Sequence, residues 1–128
     1  MSIPITITND GLNLFRNGES GADNPLISYV ALGTSSATPT VNDHTLGHEV
    51  FRKAVAGYVD GIAGEVLVTM FLADGDAVGL TTYEVGFFGG KTATSSANTG
   101  VLVAHGLYTM TGKTDTESFQ FTMDLVFD

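Results

Sequence analysis

The chain has no cysteine and no tryptophan, and only three prolines in 128 residues. Without cysteine there is no disulfide framework and no thiolate zinc site, and nothing points to an oxidising compartment. Cationic side chains are scarce as well: 5 Lys+Arg stand against 14 Asp+Glu, a formal net charge of -9. A duplex-binding surface works by displacing counterions with clustered cations, so the composition argues against nucleic acid as a partner. It argues against an anionic membrane surface for the same reason. No apolar run approaches the ~20 residues that a spanning helix needs. The opening Met1-Ser2-Ile3-Pro4-Ile5-Thr6 lacks the basic stretch and apolar block of a secretory signal.

What the chain does have is glycine, sixteen in all, and many threonines, with only 15% of residues charged. That balance favours an all-β domain rich in turns. We expect one domain over residues 1–128, large enough to bury a core without a metal or disulfide. A small charged fraction with positive mean hydropathy suits a surface partly covered by neighbours.

Residues 3–8 alternate apolar and polar and predict a short strand, which Pro4 confines to an edge or a strand start. Asn9 or Asp10 then caps a short amino-terminal helix through Leu12, Leu14, Phe15 and Arg16, stopped by Asn17-Gly18. After a loop at 19–25, residues 26–32 read as a strand ended by Gly33, and 34–42 as an extended surface loop. Residues 49–55 form the next strand. Asp60-Gly61 marks a hairpin turn, and 65–72 is the most apolar strand of the chain. Turn-rich residues 73–79 precede a strand that ends near Gly89-Gly90, and 91–100 is a second small-residue loop before a strand at 101–110. In the last strand Phe119, Phe121, Met123, Leu125 and Phe127 alternate with Gln120, Thr122, Asp124, Val126 and Asp128. One of its faces is core and the other wet or at an interface. Seven or eight strands joined by turns predict a single antiparallel β-sandwich, jelly-roll-like, with a short amino-terminal helix. No internal repeat is visible.

The strand Tyr83-Glu84-Val85-Gly86-Phe87-Phe88 organises the rest. Alternation puts Tyr83, Val85 and Phe87 on one face and Glu84, Gly86 and Phe88 on the other. A carboxylate inside an apolar strand is costly to bury without a partner. Arg52, in the other strand that carries charge inside an apolar run, is the expected partner, so we expect an Arg52–Glu84 ion pair within one sheet. Tyr29, Tyr58, Phe88 and Tyr108 are the candidate assembly surface, since strand-end aromatics in small β domains serve the core or a subunit interface. With Tyr83 and Phe87 they could also stack on sugars.

Other constellations carry less. His44 and His48 share a face only on a helix, which Gly47 opposes, and no third ligand is fixed, so we read a solvated loop and no metal site. Asp74-Gly75-Asp76 lacks the later oxygens and closing glutamate of a calcium loop and reads as a turn. His105, among apolar neighbours, reads as a satisfied or interface histidine. Ser35, Ser36, Ser95 and Ser96 lie in loops without a nucleophile elbow, and no glycine-rich phosphate loop is present. Neither an enzyme site nor a cofactor is expected.

Several stretches recur in a familiar order: Ser28-Tyr29-Val30-Ala31-Leu32-Gly33-Thr34; the loop with Pro39; and Asp43, Leu46-Gly47 and Glu49-Val50-Phe51-Arg52. Tyr83-Glu84-Val85-Gly86-Phe87-Phe88, Thr99-Gly100-Val101-Leu102-Val103-Ala104 and Lys113-Thr114-Asp115-Thr116-Glu117-Ser118 follow. This succession, from about residue 27 to 128, resembles short structural proteins of tailed bacteriophages, of the tail-collar, tail-fibre and baseplate-associated type. The resemblance implies a β-rich virion component that binds other virion proteins, assembles as a homo-oligomer (often a trimer) and has no enzymatic role. Within the same class, a capsid cement or decoration protein is the alternative. A glycan-binding module that recognises the host surface is the rival class.

Overall fold

A computed structural model of the chain describes residues 5–61, 63 and 65–126, with the backbone alone for 125 and 126. Eight strands and one helix follow in the order β1 (Ile5–Ile7), α1 (Asn9–Glu19), β2 (Ile27–Gly33), β3 (Glu49–Ala54), β4 (Gly57–Asp60), β5 (Glu65–Leu72), β6 (Thr82–Gly89), β7 (Val101–Met110) and β8 (Phe119–Val126). They form a five-stranded sheet, β1-β7-β6-β2-β3, and a three-stranded sheet, β4-β5-β8, with every pairing antiparallel. The expected all-β sandwich is the fold.

Period-two alternation supplies the core. Val30, Leu32, Val85, Phe87 and Val103 face inward from the larger sheet and meet Val68, Met70, Leu72, Phe121 and Met123 from the smaller. Full burial of each such side chain contributes roughly 1.5–3 kcal/mol. Tyr108 joins this layer, its ring packed edge-on against Phe121 at 5.2 Å between centroids. The chain crosses between sheets in two residues: Val55 donates its amide to Ser28 of the larger sheet, and Ala56 donates to Thr69 of the smaller.

Two local expectations are corrected. Thr8, rather than Asn9 or Asp10, caps α1: its hydroxyl oxygen accepts from the Gly11 amide at 2.9 Å. The helix also runs through Asn17-Gly18 to Glu19, because Gly18 keeps helical backbone and the left-handed glycine comes at Gly21. Tyr83 is exposed whereas Val85 and Phe87 are fully buried; the β6–β7 register shifts beside it, Thr82 lying opposite Met110 and Glu84 opposite Leu107, with the extra residue on β7. The expected strand residues 3–4 and the terminal Phe127 and Asp128 lie outside the described residues.

One end of the sandwich is tied by a buried lysine. The Lys113 ammonium donates to the carbonyls of Ala73, Asp74 and Thr114 at 3.0, 3.0 and 3.3 Å, which joins the 73–80 connection to the 111–118 turn. Nearby, Lys53 pairs with Asp76, whose carboxylate also accepts the Ala73 amide. The Asp74–Asp76 segment is therefore a turn held by two lysines.

Candidate functional site: a sealed face and a bare one

The outer face of the five-stranded sheet carries Tyr29, Ala31, Gly33, Arg52, Glu84, Gly86, Phe88 and His105, and the 34–48 connection folds back over it. Leu46 enters this layer with Ala31, Phe88 and Leu102 as a second small core. Glycine makes room for it: a Cβ on Gly86 would lie 2.7 Å from Leu46 Cδ2, and one on Gly33 would lie 2.3 Å from Glu84 Oε2.

Glu84, only 1% exposed, is the centre of the arrangement. Its Oε2 accepts the amides of Ser35 at 3.1 Å and His48 at 2.9 Å, and its Oε1 accepts the amide of Gly47 at 2.9 Å. His105 Nε2 lies 2.9 Å from the same Oε1, and His105 Nδ1 lies 2.9 Å from Asp43 Oδ2. Each nitrogen of the His105 ring is thus within hydrogen-bond distance of a different carboxyl group. Burial works to raise the Asp43 carboxyl, but the Thr40 amide, His105 and the Thr40 hydroxyl together hold its pKa below the ordinary 3.8. Asp43 and three backbone amides of one connection thus converge on two side chains of β6 and β7. Chemically, this cluster fixes a loop: His105 and Glu84 are occupied with each other and with that loop.

The expected Arg52–Glu84 ion pair is not formed. The two residues do share a face of one sheet, but β2 runs between their strands, with Ala31 opposite Arg52 and Gly33 opposite Glu84. Two strand spacings, about 9.6 Å, separate them laterally. Arg52 instead makes a two-pronged pair with Glu49, Nε to Oε2 at 2.8 Å and Nη2 to Oε1 at 2.9 Å. Its Nη1 donates to the carbonyls of Thr94 and Thr99 at 3.0 and 2.8 Å, and the guanidinium lies 4.3 Å from the Phe88 ring centroid. The Asn98 amide also donates to Glu49. Arg52 and Glu49 therefore hold the 91–100 loop as Glu84 and His105 hold the 34–48 connection.

The four candidate assembly aromatics separate accordingly. Phe88 is fully buried beneath Arg52, Tyr29 is half-buried beside it, and Tyr108 packs into the core, so these three are not a free surface. Their phase along the strands shows which face they occupy, but not that a loop returns to cover that face. Tyr58 alone is exposed; its hydroxyl donates to the Ile27 carbonyl at the rim of an apolar cavity of about 540 Å³ lined in part by Phe15, Pro25, Leu26, Val66 and Val68. His44 and His48 are also apart: His44 pairs with Asp10 of α1, which raises its pKa above the ordinary 6.5, and His48 contacts the Thr34 hydroxyl at 2.8 Å. A polar cleft of about 400 Å³ lies beside His44, Asp43 and His105. Among the described residues, no group of three or more His, Asp and Glu side chains has the arrangement of a metal site.

The three-stranded sheet contrasts with all this. Its outward row includes Val59 and Phe71, 54% and 44% exposed, with half-buried Leu67 opposite Val59 and on the same strand as Phe71, and among the described residues no connection covers it. No family model, curated protein or solved structure matches the chain.

Proposed function

We propose that this chain is a structural protein of a tailed-bacteriophage particle, of the tail, baseplate or fibre-attachment type, and that it acts by protein–protein assembly. The observation that carries assembly is the bare outward face of the three-stranded sheet. There Val59 lies opposite Leu67, and Phe71 follows beyond Thr69 on the same strand, on a fold whose other sheet covers its own outer face. Exposed apolar residues grouped on a regular surface suit burial against another subunit. The phage assignment within that class is supported by the ordered succession of sequence stretches from Ser28 to Ser118. The ionic clusters complement this reading, since they hold both long loops rigidly and leave a preformed shape to dock.

Gold-labelled antibody against the chain, applied to intact particles and viewed by electron microscopy, tests the reading. Label at the tail or baseplate is expected. Label over the head would make the chain a decoration protein instead, and a chain found only free in the lysate would overturn the virion assignment.

A further inference from the structure

Strand β8 is a sheet edge. It pairs with β5 along its whole length, from Glu65 opposite Val126 to Leu72 opposite Phe119, and with no other strand among the described residues. That register is unbroken, whereas the β2–β3, β2–β6 and β6–β7 pairings each contain a shift. Natural edges are blunted by proline, lysine, inward-pointing charge or a bulge. The sequence Phe119–Val126 has none of these. An open edge of this kind offers backbone N–H and C=O groups to one further strand.

We propose that β8 pairs antiparallel with β8 of a second copy across a two-fold axis at Thr122, joining two three-stranded sheets into one of six strands. The side chains select this occupant. A two-fold axis perpendicular to the sheet keeps outward residues opposite outward residues, so the axis falls on a residue and not between two. Placed at Thr122, it sets the Gln120 amide opposite Asp124 of the second copy, Phe121 opposite Met123, and the two hydroxyls opposite each other. The single charge of the strand then meets a neutral donor at both ends of the pairing. The two Asp124 carboxylates stand four positions apart, ~13 Å, whereas an axis at Met123 would bring them to ~7 Å. A chain of net charge -9 favours the wider spacing. The Val59, Leu67 and Phe71 rows of both copies would then lie on one continuous face.

The absence of cysteine makes the test clean. Thr122→Cys supplies one thiol on the proposed axis, and under mild oxidation it is expected to give a disulfide-linked dimer, whereas Gly75→Cys, in an exposed turn, is not. In sedimentation velocity the unsubstituted chain is expected to be dimeric. Thr122→Lys, which sets two ammonium groups face to face, is expected to be monomeric with an unchanged circular dichroism spectrum. An unsubstituted chain that stays monomeric at its highest soluble concentration would overturn the proposal. So would an oligomer that Thr122→Lys leaves intact, or equal cross-linking of the two cysteine variants. A closed trimer cannot set Thr122 opposite itself, so a trimer without cross-linking also counts against it. Antibody labelling of particles is independent of this result, so the two readings fail separately.

Discussion

The two sheets of this sandwich use their outer faces in opposite ways. The five-stranded sheet buries charge on its outer face: Glu84, His105, Arg52 and Glu49 hold two long loops down over Leu46, Phe88 and Leu102. Among the described residues the three-stranded sheet has no such cover, and Val59 and Phe71 are exposed. Part of the explanation is topological. Residues 34–48 leave the larger sheet at β2 and return to it at β3, so they can fold back over its surface, whereas only four residues separate β4 from β5. The comparison shows that exposure in a small β domain depends on where the long connections are anchored as well as on alternation along strands.

If the covered face is held by buried ions, removing one should cost far more than any change on the bare face. Glu84→Ala leaves three backbone amides and the His105 ring without their acceptor, and we expect a loss of about 3–5 kcal/mol in urea unfolding. Arg52→Ala leaves the Glu49 carboxylate, its side chain 1% exposed, without its cation, and should cost ~3 kcal/mol. A double-mutant cycle sharpens this. Arg52 and Glu49 should show a coupling energy of about 0.5–3 kcal/mol, and Arg52 and Glu84 should be additive to within ~0.5 kcal/mol. Strong coupling of Arg52 to Glu84 would restore the pairing expected from sequence and remove the separation of the two loop anchors.

A smaller effect is expected from acid. The Asp43 carboxyl binds its proton less tightly when folded than its ordinary pKa of 3.8 implies. Its contribution is therefore fully present above that value and is lost as the pH falls towards and through the lower folded one. Thermal scans from pH 7 to pH 3 should show a drop beginning near 4, and Asp43→Asn should lessen it. An unchanged pH profile in Asp43→Asn would mean that Asp43 does not help to hold the 34–48 connection. Least of all, Phe71→Ser on the bare face should change stability by no more than about 0.5 kcal/mol. A loss comparable to that of Glu84→Ala would mean that this face is already packed against something within the chain.

Much of the framework is legible in the sequence. The alternation of Phe119, Phe121 and Met123 places β8 correctly, and the Asp60-Gly61 signal places the β4–β5 hairpin. The sequence also marks Glu84 as a buried carboxylate in need of partners. Its actual partners are not legible, for two physical reasons. Three are backbone amides of a loop, which any residue type can supply, and they leave no side-chain signal. The fourth, His105 of β7, sits opposite Gly86 of β6, a neighbour that only the sheet order β7-β6-β2-β3 reveals. Pairing Arg52 with Glu84 assumes adjacent strands; β2 lies between them, and Glu49, three residues away on the same strand, reaches the guanidinium first. The burial of Lys113 leaves no sequence signal either, because its three carbonyl partners are backbone as well. Glycines at 33 and 86 are the visible trace of the covered face, as each leaves space that a methyl group would fill.

Amide hydrogen exchange at Ser35, Gly47 and His48 is the most direct test of the sealed face, because these three groups donate to Glu84 from a loop that forms no regular secondary structure of its own. We predict protection close to that of the core strands, so that exchange requires global unfolding, and its collapse in Glu84→Gln. Exchange at the rate of an open loop in the unsubstituted protein would contradict the account.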